Sequence, residues 1–338
     1  MNVRRFLYFG YYVKKLNKPL FKKFLKYAKE KTGRSTISFC WDLLKCSMKY
    51  NISILEYFQF RFYECSEEEK KKWAGTGYMY EFQGYMNPKK YRDLLEDKIV
   101  FDKTYSQYIH HLVISLEDLQ NDVRLREKIL TNTSGKLVFK IKNGGCGKKV
   151  IIKSVSEYTV DTLVPFMVKL GYDLVEEYIQ QHDEINRLAP TAVNTVRVIT
   201  QLKEDKTVDI VGCRLRISVE GVVDNLAAGN IAAFINPETG VITGNGVYSD
   251  ITKNEVEFHP ITGVRISGFQ IPYWKETIAL VKEIACVDFR NRSIGWDIAI
   301  TTTGPDLIEG NREWCKLLFQ LPAKQGLKPI LDKYYNNK

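Results

Sequence analysis

The sequence predicts an α+β fold in which a mainly helical N-terminal region precedes a region of alternating strands and helices. In residues 20–28, apolar side chains recur with helical spacing on one face while lysines occupy the other. Ser53 with Glu56, and Ser66 with Glu69, are capping-box signatures that indicate two further helix starts. β-rich runs separated by turn and helical segments begin only after this region.

The β-rich runs and the helical pattern near the C-terminus indicate the order of elements in the second region. Runs of β-branched and aromatic residues predict strands at 137–142, 150–153, 173–178, 195–202 and 210–219. A helix is predicted over 274–287, and two apolar runs at 295–299 and 307–311 predict a final pair of strands.

Positive charge is concentrated at the N-terminus. Residues 1–50 hold 13 Lys and Arg against two acidic residues, a net charge of +11, whereas the remaining residues are close to neutral. This asymmetry predicts peripheral contact with an anionic membrane or a polyanionic partner, and a solvated basic face is the alternative. The rest of the sequence predicts no nucleic-acid surface.

Cysteine usage and hydropathy bear on location. The seven cysteines form no C-x-x-C pair, and only four histidines are available to help them bind zinc, which indicates a reducing compartment. No apolar run reaches the roughly 20 residues that a membrane-spanning helix requires. We expect a cytoplasmic protein whose basic N-terminus is available to the inner face of the membrane.

A strand, a glycine-rich turn and a second strand together indicate a phosphate-binding site. Lys140 and Lys142 lie near the end of the first strand, where alternate residues share a face. Gly144, Gly145 and Gly147 follow, and glycines let backbone amides close around phosphate oxygens without interference from Cβ atoms. A simple hairpin is the alternative, and the choice between Lys140 and Lys142 stays open.

The strand at 173–178 runs directly into acidic and polar residues. An adenine ring needs one acceptor for its amino group and one backbone amide for a ring nitrogen, and the ribose hydroxyls need a carboxylate or amide beyond them. Residues 174–184 offer all three kinds of group. A strand end with solvated acids is the alternative.

The final pair of strands carries the strongest pattern. Glu309 and Asn311 lie two residues apart and therefore point to the same face, and Asp297 lies on the neighbouring strand. Two carboxylates and one amide oxygen are the hard ligands that Mg²⁺ prefers when it also holds phosphates and waters. Each acid alone could be structural, but three such residues in two apolar strands favour a metal site, because an unpaired buried charge is costly.

Taken in order, these features resemble the ATP-grasp superfamily, and more narrowly the sugar-transfer-associated ATP-grasp family, over most of the chain. The motifs that carry the resemblance are residues 53–63, Asp97-Lys98, the Lys140 glycine loop, 176–179, 193–197, 223–225 with Gly229, 259–263, 295–297 and 308–311. The resemblance implies an ATP-grasp domain over 93–338, in which two α+β subdomains, at about 135–182 and 183–330, sandwich ATP. A helical, basic domain over 1–92 would precede it.

The resemblance also implies roles for individual residues. Those implied to bind ATP are Lys98, Lys140, Lys142, Gly144, Gly145, Gly147, Glu176, Glu177, Ile179, Asp183 and Glu184. Those implied to act on the transferred phosphate or on the substrate are Arg197, Lys140 and Arg214, with Arg216 as a further contact. Those implied to bind Mg²⁺ are Asp297, Glu309 and Asn311.

The implied activity is ATP- and Mg²⁺-dependent ligation of a carboxylate to an amine through an acyl phosphate. The resemblance further implies a sugar uronate of a cell-surface polysaccharide as the carboxylate and an amino acid or other amine as its partner. Two alternatives are kinase-like phosphoryl transfer at the same site and a nucleotide-binding interaction module without turnover. The complete set of predicted metal ligands favours turnover.

Overall fold

The computed structural model of the protein describes residues 3–144, 150–221 and 224–335. A helical region comes first and packs against the larger of two antiparallel sheets that follow it. None of the described helices is long and apolar enough to cross a membrane.

The N-terminal region is a cluster of helices around an aromatic core. Its helices are α1 (Val3–Lys14), α2 (Lys18–Thr32), α3 (Thr36–Tyr50), α4 (Ile54–Gln59), α5 (Glu67–Lys71) and α6 (Thr76–Met86). Both predicted capping boxes are present, at the starts of α4 and α5. Gly33 ends α2 at a φ of 71°, a left-handed conformation that costs glycine little.

The smaller sheet has the strand order β1-β4-β2-β3 within the described chain. Two short helices precede it, α7 (Asp93–Glu96) and α8 (Lys98–Tyr105). The sheet and its covering helices are β1 (Val113–Ser115), α9 (Leu116–Asn121), α10 (Val123–Leu130), β2 (Lys136–Lys140), β3 (Ile151–Ser154), α11 (Leu163–Leu170) and β4 (Leu174–Glu177). Leu137, Phe139 and Val175 pack under these helices. Because strand residues alternate, Val138, Lys140 and Glu176 face the opposite side.

The larger sheet has the order β7-β6-β5-β8-β9 within the described chain. Its elements are α12 (Asp183–Leu188), β5 (Thr195–Leu202), β6 (Val208–Ile217), β7 (Ile231–Ile235), α13 (Trp274–Ile284), β8 (Ser293–Thr301), β9 (Gly304–Asn311), α14 (Lys316–Gln320) and α15 (Lys328–Tyr335). One face buries Val196, Val198 and Ile298 against α13 and α8. The opposite face carries Arg197 and Asp297 and looks toward the smaller sheet.

The observed strands agree with the predicted ones apart from small differences in their bounds, the end of β2, and two strands, β1 and β7, that were not predicted. The predicted extension of the glycine-loop strand to residue 142 is wrong: β2 ends at Lys140, and the amide of Lys142 donates instead to Asp173 Oδ2 at 2.9 Å. A hydrogen bond from Gly144 N to Ile141 O turns the chain there. The smaller sheet also begins earlier than predicted, because β1 pairs with β4.

Glu56 joins the helical region to the C-terminal segment. Its buried carboxylate accepts hydrogen bonds from Ser53 N at 2.7 Å, Thr76 N at 2.9 Å and Thr76 Oγ1 at 2.6 Å. It also pairs with Lys316 Nζ, from α14, at 2.9 Å. One capping residue therefore connects α4, the start of α6 and α14.

We predict that Glu56→Ala lowers the free energy of unfolding by about 3 kcal/mol, because the Lys316 ammonium and three donors lose their partner. Glu69→Ala is the matched control: Glu69 occupies the same capping-box position on α5, which is exposed, and its loss is expected to cost about 1 kcal/mol. Urea unfolding of both variants measures the difference. Equal losses would contradict the connecting role of Glu56.

Candidate active site

A cleft lies between the open faces of the two sheets. Its apolar end is lined by Val138, Ile152, Val193 and Ile308. The charged residues that line it are Lys98, Lys140, Glu176, Glu177, Arg216, Asp224, Asp297 and Glu309. Such a cleft can hold a ligand with a flat apolar part and a strongly charged part.

The apolar end lies beside the exit of β4. Val138 and Ile152 stand opposite each other on β2 and β3 and face the cleft. Glu177, Tyr178 and Ile179 complete this end, where the chain leaves the smaller sheet. The predicted adenine-binding residues Glu177 and Ile179 therefore lie at the part of the cleft that suits a planar ring.

Lys140 and Glu176 form a buried ion pair beside the apolar end. Burial alone would raise the pKa of Glu176, but the Lys140 ammonium and the His111 imidazole lower that pKa to about 2. Burial lowers the pKa of Lys140, and the Glu176 carboxylate outweighs that effect and raises it. Both groups are therefore charged at neutral pH, and the pair holds an ammonium in the cleft.

Lys98 ties the start of the predicted glycine loop to α8. Its Nζ donates to the carbonyl oxygen of Gly144, and its backbone amide donates to Lys142 O at 3.2 Å. Lys98 and Gly144 both line the cleft, whereas the side chain of Lys142 is exposed. The predicted Gly145 and Gly147 lie outside the described residues.

Asp297 lies at the floor of the cleft between two arginines. The guanidinium of Arg197 binds both of its oxygens, with Nη2 2.7 Å from Oδ2. Nη1 of Arg216 lies 2.6 Å from the same Oδ2. Burial raises the pKa of Asp297, and the two arginines outweigh burial and lower it to about 2. Bidentate pairing of this kind fixes geometry as well as charge.

Arg216 extends this ion pair into a chain of charges. Its Nη2 lies 2.5 Å from Asp224 Oδ1, and Asp224 Oδ2 accepts hydrogen bonds from Thr195 N at 2.9 Å and Thr195 Oγ1 at 2.6 Å. Burial is the largest influence on Asp224 and raises its pKa. Arg216 therefore bridges two buried carboxylates while also lining the cleft.

The predicted metal ligands lie together next to the ion pairs of Arg216. Asp297 and Glu309 are paired across β8 and β9. The amide of Asn311 donates to Glu309 Oε1 at 3.1 Å and to Asp297 Oδ2 at 3.4 Å. Among the described residues, no three histidine, cysteine, aspartate or glutamate side chains are grouped as a metal site, and the set here consists of two carboxylates and one amide.

This donor set fits Mg²⁺. Its two carboxylates and one amide are within hydrogen-bonding reach of each other, and hard oxygen donors are what Mg²⁺ selects. Turning the Asn311 amide end for end places its oxygen where its nitrogen now meets the carboxylates. No sulfur or imidazole ligand competes among the residues described around Asp297 and Glu309.

Arg214 does not line the cleft, although its pairing with Arg197 places both on one face of the sheet. Its guanidinium is fully buried, lies 4.4 Å from the ring centre of Phe234, and donates to the carbonyl oxygen of Phe319. Burial lowers its pKa to about 10. Arg214 therefore packs against α14, outside the cleft. The place in the cleft that was expected of Arg214 is occupied by Arg216.

Asp183 and Glu184, the predicted ribose ligands, form the first turn of α12 and are exposed. Glu184 pairs with Arg187 at 2.6 Å. Neither residue is among those that line the cleft. Their contact with ribose stays a prediction.

His111 connects the two sheets and was not singled out from the sequence. Its Nδ1 lies 2.7 Å from Asp306 Oδ2 in β9, and its Nε2 lies 3.7 Å from Glu176 Oε2 in β4. The side chain is buried, which lowers its pKa, but the two carboxylates outweigh burial and raise the pKa to about 9. The charged imidazole of His111 thus links Asp306 of the larger sheet to Glu176 of the smaller sheet.

We predict that the cost of His111→Gln depends on pH. A raised histidine pKa contributes stability that is fully present below the unfolded value of about 6.5 and is lost as pH rises through about 9. The variant should therefore lose on the order of 2–3 kcal/mol of unfolding free energy at pH 6 and much less at pH 9.5. Unfolding at both pH values checks this, with the exposed His110→Gln as control, for which a small effect is expected throughout. An equal cost of His111→Gln at both pH values would contradict the charged link.

Comparison with solved structures shows distant likenesses to ATP-grasp proteins. The ATP-grasp ligase PsnB complexed with its minimal precursor is 13% identical, with 75% of this chain and 64% of that chain covered and a TM-score of 0.43. The ADP complex of PurK, an N5-carboxyaminoimidazole ribonucleotide synthetase, is 12% identical, with 64% and 45% covered and a TM-score of 0.39. D-alanyl-alanine synthetase A from Vibrio cholerae O1 biovar eltor str. N16961 is 13% identical, with 71% and 60% covered and a TM-score of 0.40.

The chain spans between 45% and 64% of the length of these solved chains. No curated protein matches the sequence. The family model described as sugar-transfer associated ATP-grasp matches residues 167–336, half of the chain, and covers β5 to β9 with the cluster around Asp297. The predicted fold class and the predicted family are thereby confirmed, and the chain belongs to the sugar-transfer-associated ATP-grasp family.

Proposed function

We propose that this protein is an ATP- and Mg²⁺-dependent ligase that activates a carboxylate as an acyl phosphate and joins it to an amine. The observation that carries the proposal is the grouping of Asp297, Glu309 and Asn311 beside the cations of the same cleft. Family membership adds that the fold of this cleft is that of ATP-grasp proteins.

The cleft contains apolar side chains that would suit the base of ATP and charged side chains that would suit its phosphates. Val138 and Ile152 would cover the faces of adenine, and Ile179 lies where the base would meet the chain leaving β4. Lys140 and Lys98 would contact the phosphates, because they are the lysines of the described residues that line the cleft. Glu176 keeps Lys140 in position through their buried ion pair.

Asp297, Glu309 and Asn311 would hold Mg²⁺. When bound, the ion neutralises the crowded negative charge of the phosphates that are being transferred. Asp297 is already oriented for this task, because Arg197 fixes both of its oxygens from β5. The arginine thus acts as a positioning residue for the carboxylate.

Arg216 is suited to steady the reacting groups. It lines the cleft and is held rigidly between Asp224 and Asp297. In the proposed reaction a carboxylate oxygen of the substrate attacks the γ-phosphorus and ADP leaves. The amine then attacks the carbonyl carbon, the C–O bond to phosphate breaks, and the amine loses a proton. A fixed guanidinium beside the developing charges lowers the barrier to both steps.

The family description supports a substrate from sugar chemistry. We infer that the carboxylate belongs to a sugar uronate of a cell-surface polysaccharide and that the amine is an amino acid or a related amine. The proposed reaction takes place in the cytoplasm, where ATP is available, on an acceptor at the inner face of the membrane. The alternatives are phosphoryl transfer to a hydroxyl group at the same site and nucleotide binding without turnover.

We predict that Glu309→Gln reduces ATP turnover by at least about a hundredfold while the protein remains folded, since the neutral amide removes one of two carboxylates expected to hold Mg²⁺. Glu309 accepts a hydrogen bond from the Asn311 amide, and the glutamine oxygen can accept the same bond, so we expect the variant to stay folded. Turnover and urea unfolding are compared with those of Glu257→Gln, an exposed glutamate paired with Arg265 outside the cleft. Full activity of Glu309→Gln would contradict the metal assignment.

We predict that Asp297→Asn removes turnover and also lowers the free energy of unfolding by about 3 kcal/mol. The substitution leaves Arg197 without the charge that offsets its burial, and it leaves Arg216 with Asp224 as its remaining carboxylate partner. The same unfolding and turnover measurements apply, with Glu309→Gln as the matched comparison. Unchanged stability of Asp297→Asn would show that the arginines do not depend on this carboxylate.

We predict that ADP and inorganic phosphate are released in equal amounts only when a carboxylate and an amine are both present. A screen of uronic acids against amino acids, with ADP and phosphate measured separately, checks this. A stable phosphorylated product with no phosphate release would support the kinase alternative. If no combination of carboxylate and amine leads to ADP release, although ATP binds tightly, the result would support a nucleotide-binding module without turnover.

A further inference from the structure

The outward face of α1 carries mainly apolar side chains, with the exposed Arg4 and Lys14 among them, and so differs from that of a typical surface helix. Phe6, Leu7 and Tyr11 are 52%, 70% and 53% exposed, and Val13 and Gly10 are exposed beside them. Helices at the surface of soluble domains normally direct polar side chains outward. This apolar face is therefore a feature that the packing of the helical region does not explain.

The opposite face of α1 already makes the contacts that hold the helix in place. Tyr12 is buried and its hydroxyl donates to Asn51 Oδ1 at 3.1 Å. The hydroxyl of Tyr8 donates to Glu81 Oε1 at 3.1 Å. The apolar outward face is therefore presented by a docked helix and is free for another contact.

The neighbouring helix α3, which packs on α1, adds further exposed apolar side chains. Ile37 is 72% exposed and Trp41 is 62% exposed. Large exposed apolar side chains on two adjacent helices mark an interaction surface more often than a single one does. We infer that the exposed side chains of α1 and α3 named here form one surface, which is called the apolar surface below.

Unpaired lysines border the apolar surface where α1 leads into α2. Lys14, Lys15, Lys18 and Lys22 are exposed, and within the described chain none of these four forms an ion pair. The positive charge extends beyond these four lysines, since residues 1–50 carry a net charge of +11. A second copy of this chain would bring the same positive charges together, so the charge opposes self-association through this face.

We propose that the apolar surface and its bordering lysines bind an anionic lipid bilayer. Aromatic and aliphatic side chains of α1 and α3 would enter the headgroup region, and the lysines would contact lipid phosphates. The combination fits a membrane better than a nucleic acid, since the centre of the surface is apolar. The inference does not rest on the proposed reaction, because none of these residues lies in the cleft.

The protein carries its own reporter for this contact. Four of its five tryptophans are buried, and Trp41 is the one that lies in the apolar surface. Titrating the full chain with vesicles of phosphatidylcholine and 30% phosphatidylglycerol should shift the tryptophan emission to shorter wavelength. Vesicles of phosphatidylcholine alone should give at least tenfold weaker binding, and 0.5 M salt should weaken binding to the anionic vesicles. The shift should vanish in Trp41→Phe, while flotation of that variant with the vesicles persists.

Two sets of variants separate the apolar and the basic contributions. The first variant combines Leu7→Ser with Tyr11→Ser, and the second combines Lys14→Gln, Lys15→Gln and Lys18→Gln. Each variant should weaken vesicle binding at least tenfold. For the second variant, each lysine is expected to contribute about fivefold to binding. The matched apolar control is Val168→Ser with Leu170→Ser, similarly exposed on α11. The matched charge control is Lys128→Gln, Lys275→Gln and Lys282→Gln, all exposed elsewhere. Both controls should bind like the unmodified chain.

Either of two results would overturn the proposal. The first is a vesicle experiment in which the folded full chain shows no salt-dependent binding to anionic vesicles, or in which the control variants weaken that binding as much as the test variants do. The second is a dimer in light scattering without lipid that Leu7→Ser with Tyr11→Ser converts to a monomer, which would assign the surface to a second copy. Unchanged urea unfolding of the variants ensures that a loss of binding is not a loss of fold.

Discussion

The buried ion pairs of Asp297 are the constraint on which the rest of the structure depends. A carboxylate with two guanidinium partners can be buried only when all three charges meet, since each would be costly alone. This requirement ties β5, β6 and β8 together in one register, with Arg197 and Arg216 on the same face as Asp297. Val196, Val198 and Ile298, on the other face, are thereby directed into the core under α13.

The same constraint places the charges of the cleft. Glu309 and Asn311 reach Asp297 because β9 pairs with β8, and the link through His111 brings the Lys140–Glu176 pair to the opposite wall. Asp102 lies near these groups, and one of its buried oxygens has no hydrogen-bond partner among the described residues. Burial, and then the Glu176 carboxylate, raise the pKa of Asp102 to about 7. The lysine of this wall is thus surrounded by acidic groups, and an incoming phosphate would compete with them for it.

Local sequence patterns were sufficient to predict which residues two neighbouring strands bring together. The period-two spacing of Glu309 and Asn311 required only that two consecutive strands pair, and the structure pairs them. The run at 195–202 similarly matched β5, because five of its eight residues are Val, Ile or Thr, which favour strands. The capping boxes of α4 and α5 are read within four residues and were predicted for the same reason.

Contacts between distant segments were beyond such patterns. His111 gains its charge from Glu176 and Asp306, which no local spacing connects to it. Arg214 and Arg216 alternate identically on β6, and only the packing of Phe319 and Phe234 draws Arg214 away from the cleft. The end of β2 at Lys140 likewise depends on Asp173, a residue that arrives from another strand end. In each case tertiary contacts decide between positions that the sequence makes equivalent.

The proposed reaction phosphorylates a carboxylate in the cleft and then transfers the acyl group to an amine. It is tested most directly by following oxygen from a carboxylate substrate labelled with ¹⁸O. In an acyl phosphate mechanism the attacking carboxylate oxygen stays with phosphorus when the amine displaces phosphate, so each inorganic phosphate should carry one ¹⁸O. Phosphate without label, released together with amide or without it, would contradict the account.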